Sequence, residues 1–169
     1  MMRRTGKEVP LLLQKVLGLR LECFRIDVLH AVDLGVAAHL VGNTLWESVV
    51  DHKWGAPTQD ENLALLEADF RKWEKSQDVP HRGRLQGPIT KERVRETGSG
   101  FPKFKAKGAQ TKMMMPYVLH VAHEFDTGST HDRRKVAIAQ LMVEFYDILR
   151  SSSQFFTVVV QKRFQDGAS

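Results

Sequence analysis

Cysteine is almost absent from this chain of 169 residues, which contains only Cys23. A single cysteine excludes an internal disulfide and any zinc site built from several cysteines. Long apolar runs are absent as well: no stretch of about 18 apolar residues occurs, so we expect no transmembrane helix. Lys15 interrupts the apolar stretch near the N-terminus and no small-residue cleavage site follows it, so we expect no secretory signal.

The common motifs of nucleotide-binding and hydrolytic enzymes are also missing. The sequence contains no P-loop, no Rossmann Gly-x-Gly-x-x-Gly, no Gly-x-Ser-x-Gly elbow and no His-Glu-x-x-His. The stretch TGSGF (97–101) contains glycine, but it lacks the lysine and the strand-to-helix context that cradle a phosphate. We therefore do not expect a nucleotide enzyme, and we predict no cofactor.

Positive charge is concentrated in one part of the chain. The whole chain has a net charge of +5, whereas segment 81–107 has eight basic residues against two acidic ones, Glu92 and Glu96, a net +6. Such asymmetry favours a polyanionic partner, with nucleic acid ahead of a membrane surface; the alternative is a solvated linker that contacts nothing. With Lys112 from the following helix, the candidate nucleic-acid-binding residues are Arg82, Arg84, Lys91, Arg93, Arg95, Lys103, Lys105, Lys107 and Lys112.

Hydrophobic periodicity predicts a mainly α fold, an irregular bundle of about five helices with a basic linker. Helices are predicted over 26–51 and from Thr58, which forms a capping box with Glu61, to residue 75. A short helix is predicted over 90–96, with Thr90 as its N-cap. Further helices are predicted over 103–125, with a kink or a new start at Pro116, and over 132–150. The run FFTVVV (155–160) fits either one short strand or more helix. The predicted parts are an N-terminal segment 1–24, a helical subdomain 25–75, a basic Gly/Pro linker 76–102 and a C-terminal helical subdomain 103–169, together one compact unit.

Apolar and small residues indicate how these helices pack. The helix over 26–51 is predicted to be buried on most sides and to form the centre of the core. Its small residues lie on one face, which predicts close packing of a second helix there: Ala31, Gly35, Ala38 and Gly42. The helix over 132–150 has the clearest apolar face, formed by Ile138, Leu141, Met142, Phe145, Ile148 and Leu149.

Three groups of side chains have the spacing of functional sites. Asp27 and His30 lie one turn apart, so that the carboxylate can orient the imidazole, although Asp27 also suits a helix start and spacing alone favours a structural role. His120 and His123 have the spacing of a helical zinc pair, but no third ligand is apparent in the sequence and we predict no metal site. For the methionines at 113–115, filling of the core is favoured over an adaptable binding surface.

A family resemblance rests on four short motifs. The stretch DVLHAVDLGVAAHLVGNTLWE (27–47) resembles the Asp-x-x-His and Leu-Gly-Val segment of cut-and-paste DNA transposases of the CACTA type. Together with RLQG (84–87), KAKGA (105–109) and FYDIL (145–149), it is more similar still to a large family of no assigned activity that is multiplied in dinoflagellate genomes. This closer resemblance covers most of residues 24–150.

The resemblance to transposases implies an RNase H-like catalytic core interrupted by a helical insertion. It identifies Asp27 and His30 as the signature pair that follows the second catalytic aspartate. The third acid lies on a later helix of the family, and the matching position here is Gln110, in Lys107-Gly-Ala-Gln-Thr-Lys. Because a neutral amide cannot neutralise the cations of two-metal phosphoryl transfer, we expect a degenerate, catalytically inactive fragment.

These observations lead to three hypotheses of function. The first is an inactive transposase-derived helical domain, intracellular and with the nucleus as one option, that binds DNA non-specifically. The second is a protein-interaction or assembly module that self-associates through the small-residue face or through the apolar stripe at 63–73, with no role in nucleic-acid binding. The third, a metal-dependent nuclease, is disfavoured by Gln110. None of the three requires a membrane.

Overall fold

The computed structural model describes residues 29–77, 84–95 and 100–151, and it is mainly helical. This confirms the predicted bundle of about five helices, and the described residues form no strand. The run at 155–160, for which a strand was one option, lies outside them, as do residues 1–28. The elements are a π-helix Leu29–Val36, α1 (Ala37–Val50), α2 (Gln59–Ser76), α3 (Lys91–Val94), α4 (Gly108–Glu124) and α5 (Thr130–Ser151).

The first helical stretch begins as a π-helix and continues as α1. None of the residues in the π-helix is buried, and the side chain of Val36 is 57% exposed. In α1, by contrast, nine residues are buried, including Val41, Leu45 and Val49. The prediction of a helix buried on most sides is therefore correct for α1 and wrong for the described turns that precede it, whose residues are exposed or half-buried.

An extended segment, and not a second helix, packs on the small-residue face of α1. A Cβ atom at Gly42 would lie 2.7 Å from the backbone N and Cα atoms of Lys103. Next to this contact, the amide of Phe104 donates a 2.9 Å hydrogen bond to the carbonyl of Ala38. The sequence correctly indicated a close approach at Gly42, but the prediction that a helix makes this approach is wrong.

Helix α4 begins at Gly108 and not at residue 103 as predicted. Lys107, just before it, has an extended backbone (φ −69°, ψ 148°). The amides of Phe104 and Lys105 donate to the carbonyls of Ala38 and Arg93 at 2.9 and 2.7 Å, so this segment is bonded to α1 and α3. Once begun, α4 passes through Pro116 as one helix and ends at Glu124, so of the two predicted alternatives, a kink or a new start, there is no new start. Its Met114 and Met115 are buried, which confirms that methionine fills the core here.

Local capping signals are confirmed at the starts of α2 and α3. The hydroxyl of Thr58 accepts the amide of Glu61 at 3.2 Å, and the Glu61 carboxylate accepts the amide of Thr58 at 3.2 Å. At α3, the hydroxyl of Thr90 accepts the amide of Arg93 at 3.3 Å. These bonds satisfy amides that the first turn of a helix leaves without partners, which fixes where each helix begins.

Residues 84–95 of the predicted linker 76–102 are folded against the core. Leu85, Ile89 and Val94 are buried, although the glycine and proline content of this region predicted exposure. The guanidinium of Arg71 donates to the carbonyl of Leu85 at 2.9 Å, and the Glu74 carboxylate accepts the amide of Leu85 at 3.2 Å. Two side chains of α2 therefore hold both backbone groups of one loop residue.

Helix α5 confirms the predicted boundaries but presents a different face to the core. Ala139 and Tyr146 are its buried apolar residues, whereas Ile138 and Leu141 are 48% and 52% exposed. Met142, Phe145 and Leu149 are partly buried against the core. The predicted apolar stripe is therefore divided between core and surface, because the apolar face of α5 is wider than the part of the core that it covers.

Most parts of the described chain, though not the π-helix, contribute buried residues to one core. Its buried residues come from α1, α2, α4, α5 and from the segments around α3, and include Leu45, Phe70, Phe104, Tyr117 and Tyr146. Among the described helices, none is both long and apolar enough to cross a membrane.

Candidate nucleic-acid interface

Two basic segments lie side by side on α1. The amide of Lys105 donates a 2.7 Å hydrogen bond to the carbonyl of Arg93, which joins the end of α3 to the extended segment before α4. That segment is fixed on α1 by the contact of Lys103 with Gly42. The end of α3 and the extended segment before α4 therefore lie next to one another, although about ten residues separate them along the chain.

Trp46 of α1 lies beneath two of the cations. The Nζ atom of Lys91 is 5.6 Å from the centroid of the indole ring, and the guanidinium of Arg95 is 5.7 Å from it. The face of an aromatic ring attracts cations, so the indole holds both side chains near its surface. Trp46 itself is only 8% exposed, which leaves little of the ring for a base to stack on.

We call the resulting patch the Trp46 basic surface and define it as Lys91, Arg95, Lys103 and Lys105. Lys91, Arg95 and Lys105 are exposed, and Lys103 is half-buried. Among the described residues of these two segments, Glu92 is the one carboxylate. Four cations against one anion on neighbouring segments create a local positive potential that attracts polyanions.

Arg93 was predicted to bind nucleic acid, but its guanidinium is engaged within the protein. It donates to the carbonyl of Pro88 at 2.8 Å and to that of Lys105 at 3.4 Å. Burial, followed by the charge of Arg71, lowers its pKa, while Glu67 acts in the opposite direction. Arg93 therefore positions the Trp46 basic surface and is poorly placed to contact a phosphate.

The other predicted basic residues are spread over the molecule. Arg84 is exposed in the loop after α2, and Lys107 is exposed at the N-cap of α4. Lys112 is half-buried, with its Nζ atom 5.1 Å from the centroid of the Tyr146 ring. Arg82 lies outside the described residues. The structure thus groups about half of the predicted set and separates the rest.

The positions implied by the transposase resemblance do not converge among the described residues. Asp27 lies outside them, and His30 is exposed on the π-helix. Gln110 accepts the amide of Lys107 at 3.4 Å and lines a small cavity with Trp73, Glu74 and Leu85. It therefore faces α2, whereas its neighbour Gly108 faces the π-helix, where a Cβ atom would lie 3.1 Å from that of Asp33. Residues two apart on a helix point to nearly opposite sides.

Asp33 of the π-helix makes a long-range contact, and sequence reasoning did not single it out as a site. The hydroxyl of Tyr146 donates a 2.6 Å hydrogen bond to its Oδ1 atom. Burial, followed by this bond and the charge of Asp33, raises the pKa of Tyr146. The sequence feature that could have indicated Asp33 is its position one turn after His30. Its bond to Tyr146 could not be predicted, because 113 residues separate the two and no spacing rule connects them.

Three of the described histidines lie at the surface of α4 and α5. His120 and His123 are exposed on α4, and His131 lies 3.1 Å from the Glu47 carboxylate. Within residues 29–77, 84–95 and 100–151, no group of three or more histidine, cysteine or acidic side chains is arranged to hold a metal ion.

Comparison of the chain with protein families, with curated proteins and with solved structures finds no match.

Proposed function

We propose that this chain is a transposase-derived helical domain without catalytic activity that binds nucleic acid non-specifically through the Trp46 basic surface. The observation that carries the binding is the placement of Lys91 and Arg95 over Trp46, on a segment whose Arg93 carbonyl accepts the amide of Lys105. Among the described residues of the two segments, Glu92 is the one carboxylate. The proposed ancestry is supported by two short motifs, the Asp-x-x-His and Leu-Gly-Val stretch at 27–47 and the segment 107–112 that matches the helix of the third acid.

Phosphate groups are the chemistry that this surface suits. Lysine and arginine side chains on the surface neutralise phosphates and release condensed counterions, which drives binding without regard to sequence. Because the ring of Trp46 is buried beneath its cations, stacking of unpaired bases contributes little. We therefore expect duplex DNA of unrelated sequences to bind equally well.

The salt dependence of binding tests this proposal. Four phosphate contacts predict a slope of about −4 in a plot of log affinity against log salt concentration, or a loss of about a hundredfold between about 50 and 200 mM salt. Fluorescence anisotropy with a labelled duplex measures this slope. No binding at the lowest salt would remove the proposal.

A matched pair of variants locates the binding surface. Lys91→Glu with Arg95→Glu should abolish the binding seen at low salt. Lys72→Glu with Lys75→Glu changes the net charge of the chain equally on exposed residues of α2, and it should retain most of the affinity. Equal losses in both double variants would show that only net charge matters. Circular dichroism during thermal unfolding checks that both variants fold.

The inactivity of the domain is tested separately from its binding. The proposal rests on Gln110, which stands at the third acid position and accepts a backbone hydrogen bond at the start of α4. A carboxylate there would be needed to neutralise divalent cations in a two-metal mechanism. Incubation with supercoiled plasmid and Mg²⁺ or Mn²⁺ should give no nicking. Cleavage that disappears in the Asp27→Asn variant would contradict this part of the proposal.

A further inference from the structure

A cavity lies between α2, the end of α4 and the loop after α1, and none of its lining residues belongs to the Trp46 basic surface. Its volume is about 350 Å³. Pockets for small molecules span about 300–1,000 Å³, so this one falls at the lower end of that range. Its ionisable side chains come from all three elements and are Lys53, Asp69, Lys72, His120 and Glu124. The size and polarity of the cavity suit a small polar ligand.

The charges around the cavity are of both signs and do not neutralise one another. Among the described residues, the side chains of Lys53, Lys72 and Glu124 form no ion pair and no hydrogen bond. Asp69 accepts the hydroxyl of Tyr117 at 2.8 Å through Oδ2, and its other oxygen accepts no described donor. At neutral pH two ammonium groups and two carboxylates therefore line one space, each with capacity for a further partner.

One wall of the cavity is apolar. The rings of Trp54 and Phe125 pack edge to face, with 5.0 Å between their centroids and an angle of 80° between their planes. Both residues are half-buried, and Val121, which also lines the cavity, is 2% exposed. The indole N–H of Trp54 donates to no described acceptor. An apolar group with polar atoms at one end fits such a wall, because aromatic rings offer a large apolar surface and indole adds one donor.

We propose that this cavity binds a small zwitterion, namely a free α-amino acid with an apolar side chain. The carboxylate of the ligand pairs with the ammonium groups of Lys53 and Lys72, and its ammonium group pairs with the carboxylate of Glu124. Its side chain lies against Trp54 and Phe125. Charge-assisted hydrogen bonds of this kind are about twice as strong as neutral ones.

A ligand with a single charge fits this lining less well. A simple anion would gain the two lysines but would lie next to the carboxylates of Asp69 and Glu124. A simple cation would meet the opposite difficulty at Lys53 and Lys72. Juxtaposed like charges disfavour a wrong partner, so the mixed lining selects a ligand that carries both charges.

NMR titration of the full chain with three ligands of similar shape tests this selection. L-Phenylalanine carries both charges, phenylacetate only the carboxylate and phenethylamine only the ammonium group. L-Phenylalanine should shift the indole N–H signal of Trp54 in a saturable way, with a Kd of about 1 mM or lower. The signal is assigned as the one that the Trp54→Phe variant lacks. No saturable shift would overturn the proposal.

The two partial ligands show whether both charges are recognised. Each should bind at least about tenfold more weakly than L-phenylalanine, because each lacks one charged contact. Equal affinity for L-phenylalanine and for either partial ligand would overturn the assignment of a zwitterion.

Variants of the lining connect each charge of the ligand to its partner. Lys53→Met and Lys72→Met should each weaken the binding of L-phenylalanine and phenylacetate at least about tenfold and leave that of phenethylamine no weaker. Glu124→Gln should weaken L-phenylalanine and phenethylamine and leave phenylacetate no weaker. If each variant weakens all three ligands equally, then the proposed pairing is wrong.

Matched controls separate the cavity from net charge and from the proposed binding of nucleic acid. Lys75→Met and Asp60→Asn change exposed charges of α2 that do not line the cavity, and they should keep the affinity for L-phenylalanine. Lys91→Glu with Arg95→Glu should keep it as well, because both residues belong to the Trp46 basic surface. A loss in these controls as large as that in Lys72→Met would overturn the proposed site, whatever the chain does with DNA.

Discussion

The hydroxyl of Tyr146 donates a 2.6 Å hydrogen bond to Oδ1 of Asp33, and this bond joins α5 to the π-helix. Tyr146 is 3% exposed, and the Asp33 side chain also lies against Gly108 at the start of α4. Three elements therefore meet at one carboxylate. The same position lies in the stretch that resembles the transposase signature, so that in this chain a signature-region acid has a role in holding the fold together.

Removal of the Tyr146 hydroxyl should destabilise the protein measurably. Tyr146→Phe keeps the ring and its contact with Lys112 but leaves the Asp33 carboxylate without its donor. We expect a loss of about 1–2 kcal/mol in the free energy of unfolding, measured with urea, because hydrogen bonds to charged groups are among the stronger ones. In the background of Asp33→Ala, which retains the Cβ atom, the same change should cost much less. Additive losses in this double-mutant cycle would show that the bond contributes nothing.

Gly42 should not tolerate a side chain, because the backbone of Lys103 lies 2.7 Å from where a Cβ atom would be. Overpacking of this kind costs about 1–3 kcal/mol, which outweighs the roughly 1 kcal/mol that alanine otherwise contributes inside a helix. We therefore expect Gly42→Ala to lower the midpoint of urea unfolding. Gly100→Ala is the control, since a Cβ atom there would meet no described atom within 4 Å beyond its own chain neighbours. A stabilised Gly42→Ala variant would show that the segment at 103 can move away freely.

Local features of the sequence predicted local structure well. The capping box of Thr58 and Glu61 and the N-cap of Thr90 could be read directly, because the residues that form them are three positions apart. Which face of a helix is buried, and which segment covers it, depends on contacts between residues that are distant in the sequence. Gly42 indicated a close approach but could not indicate whether a helix or an extended segment makes it, since both bring backbone near the glycine.

The same limit applies to the candidate interface. Charge counting predicted a basic segment, and the structure groups Lys91, Arg95, Lys103 and Lys105 while it uses Arg93 to hold the segments together. The position of Trp46 beneath two of these cations could not be predicted, because nothing in the spacing of 46, 91 and 95 connects them. An arginine that binds carbonyls and one that is available to phosphate look alike in a sequence.

Glu74 should control the mobility of the loop after α2. Its carboxylate accepts the amide of Leu85, while Arg71 donates to the carbonyl of the same residue. Glu74→Leu removes the acceptor and leaves a buried amide without its partner, so we expect the Leu85 amide to exchange with solvent at least about tenfold faster, a difference of about 1.4 kcal/mol. Hydrogen exchange followed by NMR measures this rate.

A control separates this loop from the rest of the molecule. Amides in the middle of α4, such as that of Val118, should keep their exchange rates in the same variant after correction for any change in global stability. The Glu74 carboxylate accepts the amide of Leu85, and the amide of Val118 lies inside the hydrogen-bonded ladder of α4. If Leu85 and Val118 are affected equally, then Glu74 stabilises the whole fold and not the loop.

Acid should weaken the ionic contact between α1 and α5. Lys135 lies 2.9 Å from the Glu47 carboxylate and 2.8 Å from that of Asp132. Hydrogen bonds from Lys135, Thr127 and Ser129 hold the pKa of Asp132 well below its usual value. Burial alone would raise the pKa of Glu47, but hydrogen bonds from Lys135 and His131 outweigh it and leave the pKa lowered. A lowered pKa in the folded state means that protons bind more tightly to the unfolded chain.

Stability from these carboxylates is therefore present above their ordinary pKa values near 4 and is lost as the pH falls below them. Urea unfolding at a series of pH values should show this loss, and Lys135→Met should reduce the difference in stability between neutral pH and pH 3. Lys75→Met, which removes an exposed cation of α2, should leave that difference nearly unchanged. Lys135 is the group that both carboxylates share. If the free energy of unfolding falls with pH in the same way in the Lys135→Met variant and in the original chain, then this ionic contact does not contribute to the acid sensitivity.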